Sequence, residues 1–185
     1  MSDGDLTDLI RRAHGGDAAA LRDVFDATYQ ELRTMARARL RRSAPNTFLD
    51  TTSLVHEAYL RFAQANRLHI DDRQHFLRYA SHAMRSVIVD FVRERVAQRR
   101  GGDAVHVTLN TEIGEGLDAG ETEILNVHEA LEELALHDAR LVQVVEMRYF
   151  AGMTEVEIAA ALGINHRTVR RDWQKARLLL ADALK

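Results

Sequence analysis

The feature that most restricts the fold of this chain is the step at which its apolar residues return. Between Asp17 and Leu40, the residues Leu21, Val24, Phe25, Thr28, Leu32, Met35, Ala36 and Leu40 recur every three or four positions. That is the period of a helix with one buried face. The same step returns in Leu54, Val55, Ala58, Tyr59 and Phe62, and again in Phe76, Ala80, Ala83, Met84, Val87 and Phe91. A shorter helix, about Leu6 to Ala13, precedes these, and Asp17 after Gly15-Gly16 is a natural N-cap. A single proline in 185 residues leaves helices little interrupted. Alanine, leucine and arginine favour helix, and β-branched and aromatic residues are too few for a sandwich or barrel. The expected fold class is all-α.

The helical pattern breaks once at length. Gly101-Gly102 ends the third long helix, and residues 101–123 follow with several glycines and little periodicity. They hold Asp103, Glu112, Glu115, Asp118, Glu121 and Glu123 and no Lys or Arg. This composition predicts a flexible acidic linker between two small helical domains, 1–100 and 124–185. In the second, helices are expected over Ile124–Leu136, His137–Phe150, Thr154–Leu162 and Asn165 to about Leu184. The overall charge of −3 hides three basic blocks. Residues 30–42 set five arginines against Glu31, and residues 78–100 set six against Asp90 and Glu94. Residues 165–177 set Arg167, Arg170, Arg171, Lys175 and Arg177 against Asp172. Each block makes its own local field, suited to an anionic partner.

Several chemistries find no support. The chain has no cysteine, which removes disulfides, thiol nucleophiles and cysteine-zinc sites. His75 and His82 lie on similar helical faces with His69 nearby, but a metal needs more ligands than this, and surface or DNA-facing histidines are the plainer reading. His56-Glu57 is not the start of a zinc protease motif, since position 60 is Leu. Gly101-Gly102 and Gly114/Gly116 lack the Lys-Ser/Thr of a phosphate loop. No signal-peptide pattern opens the chain and no apolar run could span a membrane, so a cytoplasmic protein is expected. The Phe25, Tyr29, Tyr59 and Phe62 rings read as core.

The sharpest local signal is TEVEIAAALGINHRTVRRDWQKA, residues 154–176. Thr154 with Glu157 three residues later reads as a capping box. Ile158 and Leu162 face a core, Ala159 allows a close crossing, and Gly163 supplies a turn with positive φ. Ile164 fills the corner, Asn165 caps the next helix, and Val169 and Trp173 hold it down. That leaves His166, Arg167, Arg170, Arg171 and Gln174 or Lys175 outward, the arrangement of a helix-turn-helix that enters a major groove. Arginine can read guanine edges, and most such contacts go to phosphate.

With this module in place, the whole chain resembles an extracytoplasmic-function (ECF, group four) sigma factor of the sigma-70 family. GDAAALRDVFDATYQELRTMARARL is similar to the first long helix of sigma region two, and LVHEAYLRF (54–62) to region 2.2. HFLRYASHAMRSVIVDFVRERVAQRR (75–100) is similar to regions 2.3 and 2.4, and residues 124–185 to region four. The resemblance implies a non-enzymatic factor that needs no cofactor, joins core RNA polymerase (β′ clamp and β) and directs initiation at promoter DNA. It implies that Leu54, Val55, Glu57, Ala58, Arg61 and Phe62 dock on the β′ clamp, some serving the core as well. It implies −10 contacts from Arg78, His82, Arg85, Ser86 and Arg93, with the loop 66–74, including Arg67 and Arg73, walling a pocket for a flipped base. It implies −35 contacts from Asn165, His166, Arg167, Arg170, Arg171 and Lys175. The acidic linker is expected to lie along a basic polymerase channel. A separate anti-sigma partner is compatible with the family and not visible in this chain.

Two departures stand out. Region 2.2 of the family usually opens on an acidic run of the type DAED, where this chain has Asp50-Thr51-Thr52-Ser53. Unmodified, it is expected to hold polymerase weakly. A phosphate on Thr51, or secondly Thr52, adds about −1.5 to −2 charge at a helix N-terminus, and family groups lacking these acids resemble targets of a Ser/Thr protein kinase. Thr51 is expected to be the more accessible. In the second helix of the helix-turn-helix, Asp172 stands where many relatives carry Arg, and Trp173 replaces an aliphatic residue. Two competing readings are a dimeric helix-turn-helix regulator that never joins polymerase, and a DNA-acting enzyme such as a recombinase, which needs a nucleophile or carboxylate cluster that is not apparent.

Overall fold

The computed structural model describes residues 3–40, 49–64, 72–99 and 119–184. Every regular element among them is helical: α1 (Asp3–His14), α2 (Ala18–Leu40), α3 (Thr51–Gln64), α4 (Arg73–Arg99), α5 (Ala119–Ala135), α6 (Ala139–Val145), α7 (Glu155–Leu162) and α8 (His166–Ala183). One π-helical turn, Glu146–Phe150, continues α6. The all-α expectation is met.

Local chemistry sets the starts. Asp17 Oδ1 accepts from the N–H groups of Ala19 and Ala20, capping α2, while Arg12 holds Oδ2 at 2.7 Å. Gly16 takes φ +92 in the tight turn between α1 and α2, a conformation that favours glycine. Asp50 caps α3 and Asp138 caps α6 in the same way. Rings of α2, α3 and α4 meet in one cluster: Phe25 lies 4.3 Å from Tyr59, and Phe62 stands edge-on to Phe76 at 5.3 Å. Tyr59 donates its hydroxyl hydrogen to the Leu21 carbonyl at 3.0 Å.

Helix α4 is the axis of the molecule. Its 27 residues span about 40 Å. One side packs on α3 and α1, the other on α5, the π turn and α7. Ala80, Ala83, Met84, Val87, Ile88, Val89, Val92 and Val96 are all buried, so α4 is apolar around much of its circumference. The buried side chains form one continuous core from Leu6 to Leu180. Two boundaries differ from expectation. Helix α5 begins at Ala119, inside the stretch read as linker, because Glu121 in its first turn turns inward to Arg95 at 3.1 Å. The helix read over 137–150 begins after the Asp138 cap and ends in the π turn. The rest of the linker, residues 101–118, and Pro45-Asn46 lie outside the described residues.

Candidate nucleic-acid and polymerase interface

The helix-turn-helix is built as its residues require. The Thr154 hydroxyl accepts from the Glu157 N–H, and the Glu157 carboxylate accepts from the Thr154 N–H at 2.7 Å, closing the capping box. Gly163 ends α7 at φ +63. Asn165 accepts from the Arg167 N–H and starts α8. Ile158 and Val169 are fully buried, with Leu162, Ile164 and Trp173 packed against them. His166, Arg167, Arg170, Arg171, Gln174 and Lys175 are exposed. They are not equivalent. Arg170 pairs with Glu155 at 3.0 Å and Lys175 with Asp138 at 3.2 Å, so both are drawn back toward their own fold, while His166 and Arg167 project from the first turn. Asp172 is 2% exposed and accepts from Arg140 Nε at 2.8 Å, tying α8 to α6. It is therefore a packing residue, which accounts for an acid standing where many relatives carry Arg.

Helix α3 shows which of the expected polymerase-facing residues serve the core. Leu54, Val55, Ala58 and Phe62 are buried beneath it, and only Glu57 and the half-buried Arg61 reach the surface. Arg61 pairs with Asp90 of α4 at 2.6 Å. The remaining outer face is Thr52, Ser53, His56, Leu60 and Gln64. Leu60 is 48% exposed, three residues after Glu57 and off the buried stripe. At the helix start, Asp50 Oδ1 accepts from the Thr52 and Ser53 N–H groups, and Oδ2 accepts from the Ser53 hydroxyl at 2.8 Å. These bonds, the Ser53 hydroxyl first, lower the Asp50 pKa. The accessibility order is the reverse of that expected: Thr51 is half-buried, and Thr52 and Ser53 are exposed. Thr51 is the first helical residue and lies partly against the fold.

On α4, Arg93 is exposed, Arg73 pairs with Glu31 at 2.6 Å, and Arg78 is half-buried. Ser86 donates to the His82 carbonyl. Arg67 and residues 66–71 of the expected pocket wall lie outside the described residues. Arg85 is the exception to any outward reading. It is 3% exposed, and its guanidinium donates to Glu146 at 2.9 Å, to Glu132 at 2.6 Å and to the His128 carbonyl at 3.1 Å. His82 Nδ1 lies 2.9 Å from the same Glu146 oxygen. The hydrogen bond to Glu146 raises the His82 pKa, outweighing burial. Burial, then the Arg85 charge, lowers that of His128. Burial acts to raise Glu146, but His82 and Arg85 together hold it below its ordinary value.

No cluster of metal-ligating side chains occurs among the described residues, and no described helix is long and apolar enough to cross a membrane. Fold and site together define an all-α protein that ends in a helix-turn-helix with a basic second helix. A family model described as ECF sigma factor matches residues 3–185. The chain belongs to the ECF sigma factors, a family of transcription initiation factors. Among solved structures it is similar to one of CnrH in complex with the cytosolic domain of CnrY, at 20% identity over 96% of each chain and a TM-score of 0.39. No curated protein matches it.

Proposed function

We propose that this chain is an alternative sigma factor that joins core RNA polymerase through the outer face of α3 and directs initiation at specific promoters. In this reading residues 1–100 act as sigma region two, 124–185 as region four, and 101–123 as the acidic connection between them. Helix α8 reads the −35 element through His166, Arg167, Arg170 and Arg171, and α4 engages the −10 element. The observation that carries the reading is the capped helix-turn-helix, with its exposed basic first turns, in a chain that belongs to the family over almost its whole length.

We also propose that phosphorylation at the start of α3 is the activating event. Both oxygens of Asp50 are engaged by the helix end it caps. The other three residues of the run carry hydroxyls. A phosphate on Thr51 or Thr52 gives polymerase cations the outward anion that this helix end lacks, and the helix N-terminus favours it. Exposure puts Thr52 ahead of Thr51 as the residue a Ser/Thr kinase reaches without local opening. The test is co-elution with purified core polymerase. Thr51→Glu or Thr52→Glu is expected to bind more tightly than the unmodified chain. Equal binding by all forms counts against the switch, and no binding by any form counts against the sigma reading itself.

A further inference from the structure

Among the described residues, four cations of the N-terminal helices reach across the junction between the two halves: Arg39 of α2, and His82, Arg85 and Arg95 of α4. Their partners come from the C-terminal helices. Glu146, Glu132 and the His128 carbonyl hold Arg85. Glu146 holds His82, and Glu121 holds Arg95 at 3.1 Å. Arg39, itself 3% exposed, stacks over the electron-rich faces of Tyr149 at 4.7 Å and Phe150 at 5.7 Å. Glu146, Met147 and Phe150 of the π turn are all buried.

We propose that this junction is a self-made cover, in which the carboxylates of α5 and the π turn stand in for nucleic-acid phosphates. While it is closed, Arg85 is covered and cannot meet a single-stranded anionic strand, although His82 beside it stays exposed. The inference rests on the proposed function, which assigns α4 to promoter DNA. Three observations carry it. Arg85 is the one residue of the α4 set that is both buried and held wholly by the other half of the chain. Besides His128 Nδ1 at 2.7 Å, its contacts are carboxylate and carbonyl oxygens, which phosphate oxygens can replace. Its Nε has no acceptor among the described residues, so the internal partners leave part of the guanidinium unmatched. The ion pairs lie beside the apolar contacts of the shared core; on separation each ion finds water again, so the charged part of the seam adds little resistance to parting.

The chain has no cysteine, so two labels can be placed without interference. Spin labels at Gln64→Cys on α3 and Ala181→Cys on α8, both exposed, report separation of the halves. The free chain is expected to give one narrow distance, and Glu132→Gln/Glu146→Gln a broader and longer distribution. In parallel, a short fluorescent single strand is titrated into each form. A chain open about a tenth of the time binds about tenfold more weakly than one that is always open, so the variant gains up to that factor. Glu129→Gln/Glu133→Gln removes the same charge from exposed positions of α5 outside the junction, and is expected to change neither readout. Glu132→Gln alone, at an exposed site, gives a smaller shift in the same direction if the double variant fails to fold. A free chain already as broadly distributed as the variant overturns the cover and leaves the functional reading standing. Opening with no gain in strand affinity overturns the masking and the assignment of α4 to DNA. An equal gain by the control pair reduces the effect to net charge and overturns the proposal.

Discussion

Arg85 and Glu146 each interrupt an apolar run. Arg85 follows Ala83-Met84 and precedes Val87-Ile88-Val89, and Glu146 follows Val144-Val145 and precedes Met147. A lone charge in core register demands a buried partner. Each was legible as a violation of its helix pattern, but not as half of a pair, because 61 positions separate them. Removing one partner of a buried pair leaves an uncompensated charge. Glu146→Leu is therefore expected to cost about 3–5 kcal/mol in urea denaturation, and Arg85→Met added to it to recover most of the loss. The two histidines beside them titrate in opposite directions from 6.5. NMR titration is expected to put the His82 midpoint above that value and the His128 midpoint below it. His82 contributes fully below 6.5, and its contribution fades as pH rises through its raised value. His128 contributes above 6.5 and loses its contribution as pH falls through its lowered value. His82→Gln should thus flatten the decline of stability expected of the wild type as pH rises above 6.5. An unchanged profile contradicts the His82–Glu146 bond.

The elements were the most legible part, because their determinants are local. The capping box of Thr154 and Glu157, the Gly163 turn and the Asn165 cap all act within four residues, and the structure contains each of them. A Cβ at Gly163 meets nothing within 4 Å, so Gly163→Ala carries only the backbone penalty of positive φ, about 1–2 kcal/mol. Thr154→Ala is expected to cost about 1 kcal/mol. Thermal unfolding of the two variants checks both. What the pattern could not show is which polar residues of a helix turn inward. Asp172 sits in a basic stretch, and its partner Arg140 lies on α6, 32 positions away. Likewise the α3 stripe was visible, and Leu54, Val55, Ala58 and Phe62 are buried in it. The side chains that face outward, Leu60 among them, are those the periodicity leaves over. For duplex binding, Arg167→Ala is expected to weaken affinity and reduce the salt slope by about one. Lys175→Ala should do less, since Asp138 holds that ammonium. The reverse order in a fluorescence anisotropy titration contradicts this reading of α8.

At the scale of the whole molecule, the composition break at 101–123 separates two groups of helices, and one core runs through both. Helix α4 is apolar on two sides because it serves both groups, a fact that no single periodic stripe could express. Run-off transcription from a set of promoter-bearing templates, with core polymerase and either the wild-type chain or Thr52→Glu, tests the account most directly. It predicts a discrete transcript that depends on the added chain, stronger for Thr52→Glu than for wild type, and lost on Arg167→Ala. Transcription that is identical with and without the chain in all these forms contradicts it.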